Sequence, residues 1–473
     1  MKVGIIGAGP AGLTAAYELS KLGVEVELFE SSPFIGGMSR SLDLWGQKVD
    51  LGPHRFFSDD PRVNRIWLEI AADDYDIVNR LTRILYKGKF FYYPLKVLNV
   101  LTNLGLWGIL CCLASYAKEL IRPTPLGQTP SFEEWVVRRF GRKLFTIFFK
   151  TYSEKLWGIR CSELDADFAA QRIKKFSLLE IIKGVFGGGK KKHKTLVEQF
   201  AYPHGATGSI YERMAEKCKE KGGQIHLNTP VQRVIVCNQK AVGIEFHDGR
   251  VELFDQIISS MPLTDLVGGM DNLTCQVKDA SLKLRFRNTV IVFLKVNAVD
   301  LFKDNWLYVH STELATGRIT NFRNWTKYLY KNSADTVLAL EYWCYNDDKL
   351  WQSNDLELVS QATAEIQQAG LLGAHAVSDG QVVRIGKSYP VYTRGYKEPL
   401  KVVVDFLKTI DNLFVIGRCG AFKYNNQDHS ILMGYLAAQN IGAKGSNDLW
   451  SVNTDYEYQE SAMITKAGLV KKT

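Results

Sequence analysis

The sequence predicts an α/β protein. A Rossmann-like nucleotide-binding domain, discontinuous in sequence, carries an inserted helical subdomain and a second, mainly antiparallel sheet domain. Three observations lead there. The first forty residues run strand, glycine-rich turn, helix, strand. From about residue 95 to Lys183 the spacing of apolar residues is mostly helical. From about Val277 to Val391 strand-like segments dominate. The expected division is 1–80, 195–265 and 400–446 for the nucleotide-binding domain, 81–194 for the helical subdomain, 266–399 for the substrate-binding sheet and 447–473 for a solvated tail.

Lys2-Val3-Gly4-Ile5-Ile6 is a short apolar run of the kind that forms a buried parallel strand. Gly7-Ala8-Gly9-Pro10-Ala11-Gly12 follows at once, and Leu13 to Leu22 has helical spacing up to Gly23. Val24 to Phe29 alternates as a second strand and ends at Glu30. Each glycine has a task in such a unit: Gly7 for the tight turn, Gly9 for backbone approach to a pyrophosphate, Gly12 for close helix–strand packing. The turn at Pro10 and Ala11 opens the helix, whose N–H groups and partial positive charge suit phosphates. Glu30 is placed to accept a ribose hydroxyl.

Further along, Ser41 to Leu51 reads as a hairpin leading into Gly52-Pro53-His54-Arg55, and Pro61 to Ile70 as a helix capped by Ser58-Asp59-Asp60. Arg83 to Pro94 is a second hairpin turning at Lys87-Gly88, and Ser131-Phe132-Glu133-Glu134 starts a helix. Val97 to Tyr116 carries no charge over about twenty residues, the length of a spanning helix. Asn99, Thr102, Asn103, Gly105 and Gly108 make it two helices broken near Gly105 and no integral span, with peripheral membrane contact by Leu106-Trp107 left open. Gly187 to Lys194 is a basic, glycine-rich stretch that reads either as a solvated loop or as a mobile lid. Strands alternate from Gln224 to Pro262, and Asn412 to Gly417 is a last buried strand before a loop and the helix Ile431 to Ile441.

A chain of 473 residues exceeds one ordinary core, so two or three domains are expected. Hydrophobic content of 46% with 23% charged residues is that of a globular protein rather than a disordered one. A net charge of +9 is modest at this length; it favours anionic ligands and does not argue for nucleic acid. The eight cysteines are scattered without a CxxC pair, which fits reduced thiols rather than disulfides or a metal site. The first strand starts at Lys2 and leaves no room ahead of it for a signal peptide, so a cytoplasmic location is expected.

Ser31 to Arg40, with Gly36-Gly37, resembles the second glycine pair of FAD enzymes in the amine oxidase and protoporphyrinogen oxidase superfamily. The resemblance implies FAD, with Ser31, Gly37, Met38, Ser39 and Arg40 beside it, Arg40 near the phosphates, and Val231 added where the chain returns to the nucleotide-binding domain. Gly417-Arg418-Cys419-Gly420-Ala421-Phe422-Lys423-Tyr424-Asn425-Asn426-Gln427-Asp428-His429-Ser430 resembles the C-terminal flavin motif of UDP-galactopyranose mutases, where a generic flavin oxidase has Gly-Asp at its start. This implies Arg418 toward the flavin, Tyr424 toward a substrate diphosphate, and Asn426, Gln427, Asp428 and Ser430 toward the cofactor. Gly52-Pro53-His54 resembles the mutase Gly-Gly-His segment, which puts His54 against the isoalloxazine. Ala170-Gln171-Arg172-Ile173, following Leu156-Trp157-Gly158, and Gly317 to Thr326 resemble the segments that carry two diphosphate-binding arginines, here Arg172 and Arg318. Tyr93, Trp157, Trp306, Asn324, Trp325 and Tyr389 complete the implied substrate set, with Trp325 where the family has tyrosine.

What the resemblance implies is a mutase that interconverts pyranose and furanose forms of a nucleotide-diphosphate sugar. Reduced flavin would attack the anomeric carbon through N5, and NADPH or NADH would serve as reductant. Arg172 and Arg318 would hold the departing diphosphate, because guanidinium pairs bidentately with phosphate oxygens. Two other readings stand beside it. One is a hydride-abstracting FAD oxidase or desaturase acting on an amine, a porphyrinogen or an isoprenoid; the superfamily motifs carry it, and the apolar helices near Leu98 to Leu113 would suit a lipophilic substrate. The other is a non-catalytic flavin-binding partner with idle arginines. The sugar, the nucleotide and the oligomeric state stay open.

Overall fold

The computed structural model describes residues 1–122, 130–167, 199–443 and 445–453, together with two strands at Ala462–Thr465 and Gly468–Lys471. Its first layer is a five-stranded sheet in the order Leu413–Val415, Gln256–Ser259, Lys2–Ile6, Glu25–Phe29 and Gln224–His226, all neighbours parallel. Parallel sheets are buried on both faces, which is why these strands read as apolar runs. On one face lie the helices Pro10–Lys21, Gly208–Glu220 and Gln427–Gly442, packed through Leu13, Tyr17, Tyr211, Met214 and Ala437. Gly434 lets two of them nearly touch, since a Cβ there would lie 2.2 Å from the Ala11 carbonyl oxygen. The other face is covered by the antiparallel strands Val231–Cys237, Lys240–Phe246 and Val251–Leu253, with the Phe246 ring tilted against Phe29 at 4.7 Å.

A second sheet has seven strands, in the order Val377–Pro390, Phe286–Val296, Thr336–Cys344, Arg318–Asn321, Trp306–Val309, Thr82–Tyr86 and Lys89–Tyr92. All its pairings are antiparallel except Thr82–Tyr86 with Trp306–Val309. The hairpin at 82–92, grouped by the sequence with the helical subdomain, thus forms the edge of this sheet. Its register to Trp306 is a contact across more than two hundred residues that no local pattern encodes.

Local signals otherwise appear where the chain chemistry puts them. Asp60 caps Pro61–Ala71 by accepting the Arg62 N–H at 2.8 Å. Ser131 and Glu134 form a capping box at Phe132–Phe145. The helix Val97–Leu120 breaks at Gly105, whose φ of 69° is outside helical geometry.

Two expectations are corrected. The last helix starts at Gln427, not Ile431, because Asn426 caps it and brings Gln427 and Asp428 into its first turn. The segment after Ser446 is not a solvated tail up to Asn453. Leu449 and Val452 are buried, and the Lys423 ammonium donates to the carbonyls of Trp450 and Val452, the latter at 2.6 Å. Burial pushes Lys423 down to about 8, and those carbonyls are what a buried ammonium needs. Asn453 Nδ2 donates to the Tyr424 carbonyl at 3.2 Å and to Asn425 Oδ1 at 2.9 Å. Truncation after residue 446 is therefore expected to strip acceptors from Lys423, loosen the 423–426 loop and lower Tm by several degrees in a thermal melt.

Candidate active site

A cleft of about 570 Å³ opens at the carboxyl ends of the parallel strands and is closed on its far side by the second sheet. Ligands of open α/β sheets bind in this place. Its near wall is a cradle for an extended group. Gly7 has φ 98°, and a Cβ there would sit 2.3 Å from Ser260 Oγ. Gly37 has φ 54°, and its Cβ would lie 3.0 Å from the Gly9 Cα. Gly12 does not line the cleft; a Cβ there would fall 2.0 Å from the Gly7 carbonyl oxygen, so it serves packing. Pro10, Ala11, Ser31, Met38, Ser39, Val231, Gly417, Asn426, Asp428 and Ser430 are all on the wall. Glu30 is too, its carboxylate oriented by the N–H groups of Ala8 at 2.8 Å and Ser32 at 2.9 Å.

Arg40 is not on the wall itself; it stacks over Phe34 at 5.5 Å, donates to the Gly37 carbonyl at 3.3 Å, and keeps a buried Nε with no acceptor among the described residues. Gly52 is also off the wall; with φ 126°, it leaves room for a pair of charges, a Cβ lying 3.3 Å from Glu341 Oε1.

The deep end gathers His54, Arg318, Arg418 and Tyr424. Arg418 is stacked between Tyr389 at 4.3 Å and Tyr424 at 4.5 Å. Its Nη1 donates to the Asn425 carbonyl at 3.4 Å, while Nε and Nη2 are buried with no acceptor among the described residues. Arg318 Nε donates to Glu341 Oε1 at 2.6 Å and its Nη2 to the other oxygen. Burial alone would lower the Arg318 pKa, but the charge and hydrogen bonds of Glu341 outweigh it and hold the guanidinium well above its usual range. Glu341 leaves three of the five guanidinium donors for a ligand.

His54 is half-buried with its Nδ1 out of water, and desolvation first, then Arg318 and Arg418, push it down to about 3. It is therefore neutral, and its Nδ1 has no partner among the described residues. Its carbonyl accepts the Thr207 hydroxyl at 2.7 Å and Gln427 Nε2 at 3.4 Å. Gln427 also donates to the Arg55 carbonyl at 2.9 Å and accepts from Tyr211 at 2.8 Å. Its amide, expected toward the cofactor, is thus committed to tying the His54 loop to the last helix.

The expected substrate set divides. Tyr93 and Trp306 are on the wall. Trp157 and Tyr389 are not; they lie behind it, with Trp157 5.9 Å from Tyr424 and Tyr389 5.4 Å from it. Asn324 and Trp325 are corrected, because the chain leaves its strand at Asn321 and turns through Phe322–Asn324. Asn324 Nδ2 donates to the carbonyls of Phe302 and Asp304 at 2.7 and 2.8 Å. Trp325 is buried against Phe200 and Tyr202, donating to the Asn305 carbonyl at 3.2 Å. Arg172 and the basic stretch 187–194 lie outside the described residues. Arg55, Arg80, Tyr308, Lys387 and Asn453 line the cleft unforeseen. Glu341 was discoverable: it is the sole acid in the otherwise apolar strand Thr336–Cys344.

His54 and the buried His310 both sit at about 3, below their ordinary value of 6.5. The unfolded chain binds these protons and the folded chain does not, so their contribution is complete above 6.5 and falls away toward 3. Asp50, raised by burial to about 6, works in the opposite direction between its two pKa values but is one group against two. Tm is expected to fall as pH drops from 6.5 to 4, and His310→Phe to make that acid limb shallower.

A family model for flavin containing amine oxidoreductases matches residues 10–440. A probable UDP-galactopyranose mutase from Klebsiella pneumoniae is 29% identical over 170 residues, 34% of this chain and 42% of that protein. A chloroplastic/chromoplastic zeta-carotene desaturase from Zea mays is 42% identical over 83 residues, 17% of this chain and 15% of that protein. The chain thus spans less than half the length of these two relatives. Among solved structures, a reduced UDP-galactopyranose mutase superposes with a TM-score of 0.82 at 24% identity, covering 96% of this chain and 97% of that one. A putative protoporphyrinogen oxidase from Exiguobacterium sp. 255-15 gives 0.72 at 16% identity, covering 94% and 99%. At these identities the superpositions show a shared fold.

Proposed function

The chain belongs to the flavin containing amine oxidoreductase family, and from that premise we propose that it is a flavin-dependent mutase interconverting pyranose and furanose forms of a nucleotide-diphosphate sugar. The family implies FAD, and the cradle fits it: glycines at positive φ where a side chain would clash, an oriented Glu30, and buried Arg418 nitrogens without acceptors. Gly7, Gly9 and Gly37 would hold its pyrophosphate against the opening helix, Glu30 its ribose, and the segment from Gly417 to Ser430 the remainder. Bound and reduced, FAD supplies a nucleophilic nitrogen for the anomeric carbon.

One observation carries the reading: two largely covered guanidiniums, Arg318 and Arg418, both face a neutral His54 and share the cleft with Tyr424. A cleft built for an apolar or amine substrate gains nothing from that charge, whereas a departing diphosphate needs it. Glu341 fixes the Arg318 fork so that its free donors are aimed before substrate arrives. Holding the diphosphate close keeps it available for recapture. Neutral His54 adds no charge of its own, and Tyr93, Trp306 and Tyr308 form an aromatic wall that limits water around the sugar. UDP-galactose is the first substrate to test.

The test compares reduced and oxidised holoenzyme under anaerobic conditions, with UDP-galactose, its furanose isomer and other nucleotide sugars, by chromatography. NADPH and NADH are compared with dithionite as reductants. Isomer formed only by the reduced enzyme supports the mutase. No isomer from any sugar, with rapid reoxidation of the reduced enzyme to peroxide in air, supports instead an oxidase or desaturase. The short desaturase match favours that second reading.

A further inference from the structure

Among the described residues, sixteen large apolar side chains are exposed, and seven of them belong to one stretch: Leu98, Leu106, Trp107, Leu110, Leu113, Leu120 and Ile121. Leu106 is 82% and Trp107 78% exposed, so this is a concentrated patch rather than scattered surface. Positions 106, 110, 113, 117 and 120 repeat at intervals of three and four and form one stripe of the helix. The opposite face is already used. Cys112 and Tyr116 are buried there, and a Cβ on Gly141 would lie 2.8 Å from the Tyr116 backbone nitrogen.

The segment has the length and hydropathy of a membrane span, but its geometry rules out a straight one. Gly105 breaks the helix. The half before it is tied to the neighbouring hairpin: Asn99 accepts the Tyr92 N–H at 2.9 Å, and Asn103 donates to the Phe90 carbonyl at 2.9 Å. An apolar helical face held sideways on a folded protein suits the plane of a bilayer interface.

We propose that residues 106–121 dock on the surface of an anionic lipid bilayer. Charge selects this occupant over a second copy of the chain. No charged residue occurs between Val97 and Ala117, and the rim is cationic, with Lys96 at the start of the helix, Lys118 in its last turn and Lys89, whose Nζ donates to the Asn103 carbonyl at 2.6 Å. Glu119, the nearby acid, is covered and paired with Arg122 at 3.6 Å. A second copy would bring cations against cations, whereas anionic headgroups neutralise them. Val100 and Leu104 in the first half of the helix pack against the cluster of Ile84, Phe91, Ile147 and Phe148, the cluster that Tyr93 and Tyr308 of the cleft wall also pack against, so the docking element and the site share one core.

The test is co-sedimentation of the full-length holoprotein with vesicles of phosphatidylcholine alone or with roughly one third phosphatidylglycerol. The wild type is expected to pellet with the anionic vesicles, and Leu106→Glu/Leu110→Glu to bind about ten-fold less. Flavin absorbance checks that the variant is folded, and Trp107→Ala is the second variant should the first fail to load FAD. Three results overturn the proposal: no pelleting with either vesicle, equal binding by the wild type and a folded variant, or a lipid-free dimer in sedimentation velocity that the variant abolishes.

Discussion

Replacing Arg318 with alanine is expected to lower isomerisation by about a hundred- to a thousand-fold, the scale of losing one electrostatic stabiliser of a developing charge. The same change strands Glu341, which is 1% exposed, as an uncompensated buried carboxylate. Removing one partner of such a pair costs about 3–5 kcal/mol. The two effects can be separated. Arg318→Met with Glu341→Gln removes both charges at similar volume, so urea unfolding is expected to recover much of the stability while turnover stays low. Near-normal turnover in the double variant would sink the role assigned to Arg318.

Gly7→Val is expected to yield protein without flavin, read from the absence of the visible flavin band after purification. Any Cβ at residue 7 sits 2.3 Å from Ser260 Oγ, a hydroxyl already fixed by donating to the Ile6 carbonyl at 2.8 Å. It also imposes φ 98° on a side-chain-bearing residue. Strain at positive φ alone is about 1–2 kcal/mol. Gly46→Ala measures that component, because Gly46 has φ 76° with open space around it, and it should keep its flavin. A Gly7→Val protein that retained stoichiometric flavin would remove this turn from the cofactor cradle.

Part of the site was legible because its signals are short-range. The turn from Gly7 to Gly12, the acid at Glu30 and the caps at Asp60 and Ser131 each depend on residues within a few positions or one βαβ unit. The placement of His54, Arg418 and Tyr424 in one cleft was anticipated from motifs, each local to its own loop. Trp325 misled for the same reason. Its neighbours in sequence suggest a ligand-facing aromatic, yet a turn three residues earlier rotates it into the core.

By itself the sequence determined the elements and the nucleotide-binding turn, since backbone hydrogen bonding, capping and glycine conformations act over a few residues. Tertiary structure alone decided which polar groups meet. Glu341 reaches Arg318 across neighbouring strands, Gln427 spans from the last helix to the His54 loop, and Lys423 and Asn453 join the C-terminal segment to the Tyr424 loop. Those partners are chosen by burial: a charge or amide taken out of water must find its complement wherever the packed chain brings one, and distance along the sequence has no bearing on that choice.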